Sequence, residues 1–160
     1  MITELASNSP EDTLEIAQSL GKTLVPGDVI ALTGDLGAGK TCFCKGIGMA
    51  LGISPGRVAS PTFTIATEHE GVLPLNHIDV YRLETAREAV EIGLDEIISE
   101  TKGVCVVEWA EKVEELLPTE SIRVTFIISG DGRRKIVVSG PEQSRFATFL
   151  ELTKRFSAGG

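Results

Sequence analysis

Positive charge is in deficit in this chain: 15 Lys and Arg stand against 23 Asp and Glu, a net charge of −8. Such a surface has no general attraction for a phosphate backbone, so any role near RNA leaves most of the RNA contact to other proteins. Cysteine is sparse and odd in number, with Cys42, Cys44 and Cys105 at no metal-site spacing. Cys42 and Cys44 share a helical segment and point in different directions there, which excludes a disulfide framework and points to a reducing cytoplasm. With two histidines and no cysteine pair, a zinc site is excluded as well. No apolar run approaches the length of a membrane span, and the opening "MITELASNSPED" has neither the basic start nor the apolar stretch of a signal peptide. The expectation is a cytoplasmic protein with no membrane association. Repeats, low-complexity tracts and linkers are also missing, so residues 1–160 read as a single domain able to bury a proper core.

What is present is an alternation of strands and helices. "SPEDTLEIAQSLGKTLVPGD" opens with Ser9 as N-cap, Pro10 at the first helical position and Asp12 three residues after the cap. Leu14, Ala17 and Leu20 follow at helical spacing, and Pro26-Gly27 ends the segment. "DVIALTG" reads as a buried strand, and "KTCFCKGIGMALG" as a helix closed near Gly52. "ISPGRVASPTF" is a loop, "TIATEHEGVLPLNHIDVYRL" two strands connected around Glu70-Gly71, and "TAREAVEIGLDEIISE" a helix with Thr85 and Glu88 as a capping box. "GVCVVEW" is a further buried strand, and "AEKVEELL" a short acidic helix ended by Pro118. "SIRVTFIISGDGRRKIVVSG" is a hairpin turning through Gly130-Asp131-Gly132, and the tail offers Phe146, Phe149, Leu150 and Phe156 as one buried face. Alternation followed by a hairpin predicts an α/β domain: a mixed, mostly parallel sheet flanked by helices, with an antiparallel C-terminal hairpin.

The chemistry concentrates between the first buried strand and the helix after it. Gly34, Gly39, Lys40 and Thr41 fit G-x-x-x-x-G-K-[ST], the P-loop of nucleoside triphosphate enzymes. Glycines let backbone N–H groups curl around an anion, and the following helix offers its unpaired N–H groups and positive dipole end. The whole loop, Gly34-Asp35-Leu36-Gly37-Ala38-Gly39-Lys40-Thr41-Cys42, is the candidate phosphate cradle. Lys40 reaches the β/γ-phosphates and Thr41 ligates Mg²⁺ in that pattern. Phosphoryl transfer also needs an acid near the metal and a group that orients water. Asp79 in "HIDVYR" and Glu108 closing "VCVVEW" both qualify, since open α/β sheets place ligands at strand C-termini. Thr62 in "SPTF" supplies a hydroxyl of the kind a phosphate-sensing switch loop uses, although on the residues alone a plain turn is the better account of it. His77 reads as a packed or hydrogen-bonded residue rather than a ligand, and the single tryptophan, Trp109, as either core or a cover on the nucleotide site.

Together "GDLGAGKT", "SPTF", "HIDVYRL", the acidic helix with Gly93, and "VEW" resemble the bacterial TsaE (YjeE) ATPases of tRNA N6-threonylcarbamoyladenosine biosynthesis. The resemblance runs from about Ser9 to the hairpin at Gly132-Arg133. It implies a P-loop NTPase fold, ATP with Mg²⁺ as ligand, and slow hydrolysis dependent on the partners TsaD and TsaB, with tRNA reached through that complex. It further implies that Asp79 positions the water, that Glu108 and Thr41 hold the metal, and that Thr62 belongs to a switch-like loop. Trp109 would lie near the site, Arg133 would approach the nucleotide, and Ser9 and Pro10 would lie near the adenine. Two positions depart from the family pattern. Cys42 stands where a second Thr is usual, placing a thiol at a helix N-terminus where its pKa is expected to fall, and "EWA" replaces the commoner proline after Trp109. The rival reading is a small-molecule P-loop kinase, with "GDGRRK" as an arginine-bearing lid. A GTPase is excluded, because D-x-x-G is absent and "NHID" lacks the Lys of N-K-x-D.

Overall fold

The computed structural model describes residues 1–59, 65–141 and 144–159. Seven strands form one sheet: β1 (Ile2–Ser7), β2 (Val29–Gly34), β3 (Ala66–His69), β4 (Leu75–Asp79), β5 (Val104–Glu108), β6 (Ile122–Gly130) and β7 (Arg133–Ser139). Their spatial order is β1-β7-β6-β2-β5-β4-β3. The central strands β6, β2, β5 and β4 run parallel, while β3 on one side and β7 then β1 on the other are antiparallel additions. This is the mixed α/β sheet with a parallel centre and a C-terminal hairpin that the sequence predicts. The "GDGRRK" segment is the tip of the β6–β7 hairpin rather than a lid.

The central strands read as unbroken apolar runs because both sheet faces are covered. Ile30 and Leu32 of β2 point to one core, with helices α1 (Pro10–Gly21), α2 (Lys40–Ala50) and α5 (Phe146–Leu152) over it. Val29 and Ala31 point to the other, beneath α3 (Ala86–Glu91), α4 (Leu94–Ser99) and a 3₁₀ segment at Ala110–Leu116. Each large side chain buried in these layers contributes about 1.5–3 kcal/mol.

The seat of α2 matters most, because that helix follows the glycine loop. Gly46 of α2 lies so close to α1 that an added Cβ would sit 2.5 Å from the Ala17 Cβ. A small residue there lets the two helices touch backbone to backbone. α1 itself starts as its sequence predicts: Asp12 N–H donates to Ser9 Oγ at 3.1 Å, Pro10 is in the first turn, and Asn8 N–H donates to Asp12 Oδ2 at 2.9 Å. Its buried face is Thr13, Ile16, Ala17 and Leu20, with Leu14 only half-buried.

Other details differ from expectation. β1 was not foreseen. The helix expected across residues 85–100 breaks at Gly93, which adopts φ 83°, so α3 and α4 are separate helices of six residues each. The acidic helix is 3₁₀ and kinked at Val113 (φ −128°). In the tail, Phe146, Phe149 and Phe156 are buried as predicted, but Leu150 is 40% exposed, because the inward stripe of α5 continues to Thr153 instead. Half of the capping box of α3 forms: Glu88 N–H donates to Thr85 Oγ1 at 3.3 Å, while the Glu88 carboxylate accepts from Glu84 N–H rather than from Thr85 N–H. Thr62 lies outside the described residues.

Candidate active site

Strand register assembles the site. Leu32, Glu108 and Asp79 form one row across β2, β5 and β4 at the C-terminal edge of the parallel block. The loop leaves β2 just beyond that row. Gly34 ends the strand so close to β6 that a Cβ would meet the Phe126 carbonyl oxygen at 2.8 Å. Gly37 and Gly39 take φ 77° and 111°, values that L side chains avoid and that turn the loop back toward α2. α2 starts at Lys40 with no side-chain cap. The N–H groups of its first turn are therefore offered to an anion, which is what a phosphate site requires.

Lys40 is 5% exposed and folded into this curl. Its Nζ donates to the Gly34 carbonyl at 2.5 Å and the Asp35 carbonyl at 2.8 Å, and lies 4.0 Å from the Trp109 ring centroid. Burial lowers its pKa, opposed by the nearby charges of Glu108, Glu111, Asp35 and Asp79. Trp109 stands where β5 ends, in a left-handed conformation (φ 61°), and packs on Tyr81 at 4.9 Å between ring centroids. Trp109 is thus a cover beside the loop as well as part of the second core.

Glu108 is 2% exposed, and both its oxygens are engaged. Thr41 Oγ1 donates to Oε1 at 2.9 Å, and His77 Nε2 lies 2.5 Å from Oε2. Asp79 is half-buried, and Tyr81 N–H donates to its Oδ1 at 2.9 Å. Burial raises the Asp79 pKa, the Tyr81 hydrogen bond lowers it, and the neighbouring Glu108 charge raises it again. A carboxylate whose pKa is raised is better matched to taking a proton than an ordinary one.

On the other flank of the loop lies a cavity of about 150 Å³ lined by Ser9, Pro10, Thr13, residues 37–39, Cys42, Gly132 and Arg134. Cys42 Sγ donates to the Pro10 carbonyl at 3.5 Å. Its pKa is raised by burial, and only partly offset by Lys45, so the fall expected at a helix N-terminus does not occur. Arg133 is exposed. Its neighbour Arg134, which sequence reasoning passed over, is the one that reaches the loop, with Nε donating to Ala38 O at 3.1 Å and Nη2 to Gly37 O at 3.0 Å. Alternation along a strand decides which of two adjacent residues faces inward, and nothing local in "GRRK" sets that parity. Asp35 is exposed and Leu36, at the crest of the loop, is 72% exposed.

The set fits a nucleotide with a hard divalent cation. Among the described residues no cluster of three His, Cys, Asp or Glu side chains has metal-holding geometry. Mg²⁺ does not need one, since it takes one or two protein oxygens and completes its shell from phosphate and water. The Thr41 hydroxyl and the Glu108 carboxylate, 2.9 Å apart beside the glycine loop, fit that requirement.

Comparison with known proteins gives a consistent picture. A family model described as "Threonylcarbamoyl adenosine biosynthesis protein TsaE" matches residues 7–136. The tRNA threonylcarbamoyladenosine biosynthesis protein TsaE of Bacillus subtilis is 50% identical over 129 residues, covering 80% of this chain and 79% of that protein. Its Treponema pallidum counterpart is 41% identical over 133 residues, covering 83% and 97%. Among solved structures, YdiB of Bacillus subtilis superposes with a TM-score of 0.76 at 38% identity, covering 97% of this chain and 96% of that one.

Proposed function

The chain belongs to the TsaE family, and from that membership we propose that it binds ATP with Mg²⁺ and hydrolyses it slowly to ADP and phosphate. The turnover serves threonylcarbamoyl modification of the anticodon-adjacent adenosine of tRNA, in company with TsaD and TsaB. The observation that carries the reading is the Thr41–Glu108 hydrogen bond at 2.9 Å, beside Lys40 and in the same strand row as Asp79. Hydroxyl, ammonium and two carboxylates come from three elements to one edge of the sheet.

When bound, Mg·ATP supplies the divalent charge and the phosphoryl group that passes to water. Lys40 exchanges its carbonyl acceptors for phosphate oxygens, and the loop N–H groups bind the same anion. Thr41 and Glu108 hold the cation. Asp79 orients the water through Oδ2, since Tyr81 N–H occupies Oδ1. Trp109 shields Lys40, and the cavity beside Ser9 and Pro10 takes the base. The acidic chain leaves tRNA to its partners and works as their ATP-driven resetting device. No helix among the described residues is long and apolar enough to cross a membrane.

The test is phosphate release from Mg·ATP by the pure protein, alone and with TsaB, TsaD and tRNA from the same source. A slow rate that rises with the partners is expected. Lys40→Ala should abolish nucleotide binding, while Asp79→Ala should keep binding and lose turnover. Tight ATP binding with no hydrolysis in either state would instead make the protein a nucleotide-gated assembly module. Transfer of phosphate to a metabolite would make it a kinase.

A further inference from the structure

His77 lies on β4, two residues before Asp79 and on the same face of the strand. It is fully buried, and its Nε2 is 2.5 Å from Glu108 Oε2. A carboxylate only accepts, so Nε2 carries the hydrogen and His77 is the donor. The other ring nitrogen, Nδ1, is buried with no hydrogen-bond partner among the described residues. An imidazole used only to fill space here would bury an unpaired polar atom to no purpose, because an apolar side chain fills the same volume without one. The ring is kept for a single bond, and that bond ends on a carboxylate oxygen.

The register explains the reach. His77 sits opposite Val106, and Glu108 is the next residue of β5 on the same face, so the contact runs diagonally across the two strands. Glu108 is gripped from two sides: β4 holds Oε2 through His77, and the first turn of α2 meets Oε1 through Thr41. The grip fixes the carboxylate plane.

We propose that His77 is a positioning residue that orients Glu108 so that Oε1 is presented to the metal beside Thr41. This rests on the reading that Glu108 and Thr41 hold Mg²⁺. Groups that orient a metal-bound carboxylate typically change metal affinity ten- to a hundred-fold when removed.

Mn²⁺, standing in for Mg²⁺, is titrated by electron paramagnetic resonance into the full-length protein saturated with ADP. ADP affinity in EDTA and thermal unfolding are measured in parallel. His77→Leu is expected to weaken Mn²⁺ binding by about ten- to a hundred-fold while leaving ADP binding in EDTA within about twofold of wild type. His77→Gln, whose amide nitrogen reaches the position of Nε2, should restore most of the affinity, and the shorter His77→Asn should not. The Gln and Asn contrast decides the matter even if the Leu variant does not fold. Equal Mn²⁺ affinity for Gln and Asn, or wild-type affinity for Leu, would overturn the role of His77. Failure of wild type to bind ADP would sink the nucleotide reading itself. ADP binding without any Mn²⁺ site would remove the metal assignment of Glu108 and the inference with it.

Discussion

Glu108 offers the sharpest quantitative test, because two substitutions that both remove its charge should differ widely in stability. The carboxylate is 2% exposed, accepts from Thr41 Oγ1 and His77 Nε2, and is the strongest of the neighbouring charges that favour the ammonium of Lys40. Glu108→Ala strands a buried imidazole N–H and part of the Lys40 charge, and takes an acceptor from the Thr41 hydroxyl. Removing one partner of such a group costs about 3–5 kcal/mol. At about 2–4 °C per kcal/mol for a chain of this size, Tm falls by roughly 6–20 °C. Glu108→Gln keeps the shape and the acceptor for Thr41. Its amide NH₂ meets Nε2, and His77 adapts by moving its proton to Nδ1, which trades an unpaired buried acceptor for an unpaired buried donor. Relief of a carboxylate desolvation of several kcal/mol then opposes the loss of charge assistance, about 1 kcal/mol for each of two hydrogen bonds, together with the lost attraction to Lys40. These terms nearly cancel, so the Gln variant should lie within about 1.5 kcal/mol of wild type. Urea and thermal unfolding of the nucleotide-free protein at neutral pH measure both. Metal affinity should be lost in each variant, so Glu108→Gln should be folded yet metal-deficient. If the Gln variant falls as far as the Ala variant, the charge itself holds the site together and the hydrogen-bond argument fails.

Three further outcomes follow from the same geometry. A carboxylate whose pKa is raised by folding contributes stability only at low pH and loses it as pH rises through the folded value; Asp79 is such a group. Asp79→Asn should therefore raise Tm at pH 7, with the gain shrinking through the raised pKa and gone below about 3.9, and a variant less stable at pH 7 would contradict the direction. The Cys42 thiol is pushed up by burial, so a disulfide reagent at pH 8 should modify it more slowly than free cysteine, bound ADP should slow it further, and dilute peroxide should leave ATP turnover unchanged. Gly46→Ala would place its Cβ 2.5 Å from the Ala17 Cβ and 2.8 Å from the Leu14 carbonyl oxygen. Overpacking of about 1–3 kcal/mol should lower Tm and ADP affinity together as α2 is pushed off α1, and unchanged affinity in the destabilised variant would show that the loop does not depend on that contact.

What the sequence shows plainly is whatever leaves a local signature. β2 and β5 are unbroken apolar runs because both sheet faces are covered, and the acid that ends one of them, Glu108, stands out against that run. The glycine loop is legible for the same reason, since its conformation demands its residues. β1 is not legible. Its Leu5 is buried but Ile2 is 75% exposed, and it is held in place by β7, pairing Ile2 with Ser139. A strand made by a partner so far along the chain needs little propensity of its own. The break at Gly93 depends on one left-handed glycine inside an otherwise helical pattern, and the 3₁₀ segment starts from a left-handed Trp109 at the end of β5. His77 is unremarkable in its own segment, and becomes the partner of Glu108 only once β4 lies beside β5 in the observed register.

The β6–β7 hairpin turns the same limitation into an experiment. Arg133 and Arg134 are chemically equivalent in sequence, and strand alternation allows only one of them to face the loop. The choice follows the regular part of the ladder, in which Arg134 pairs with Ile128 and lies on the same face of β7 as the buried Ile136 and Val138. Arg134 faces inward and hydrogen-bonds the carbonyls of Gly37 and Ala38, while Arg133 is exposed. Fixing those carbonyls outward leaves the loop N–H groups directed at the anion. A hydrogen bond to a charged group contributes about 1.5–3 kcal/mol, and partial exposure of the guanidinium reduces the pair to about 1–2 kcal/mol. Arg134→Ala should therefore weaken ADP binding by roughly 5- to 30-fold, measured by calorimetry in EDTA to keep metal out of the comparison. Arg133→Ala should stay within about twofold. The opposite ranking would mean that Arg133 approaches the nucleotide, as the family resemblance implies, and that the hairpin twists when the site fills. Equal losses would mean that the hairpin acts through its charge and not through the two carbonyls.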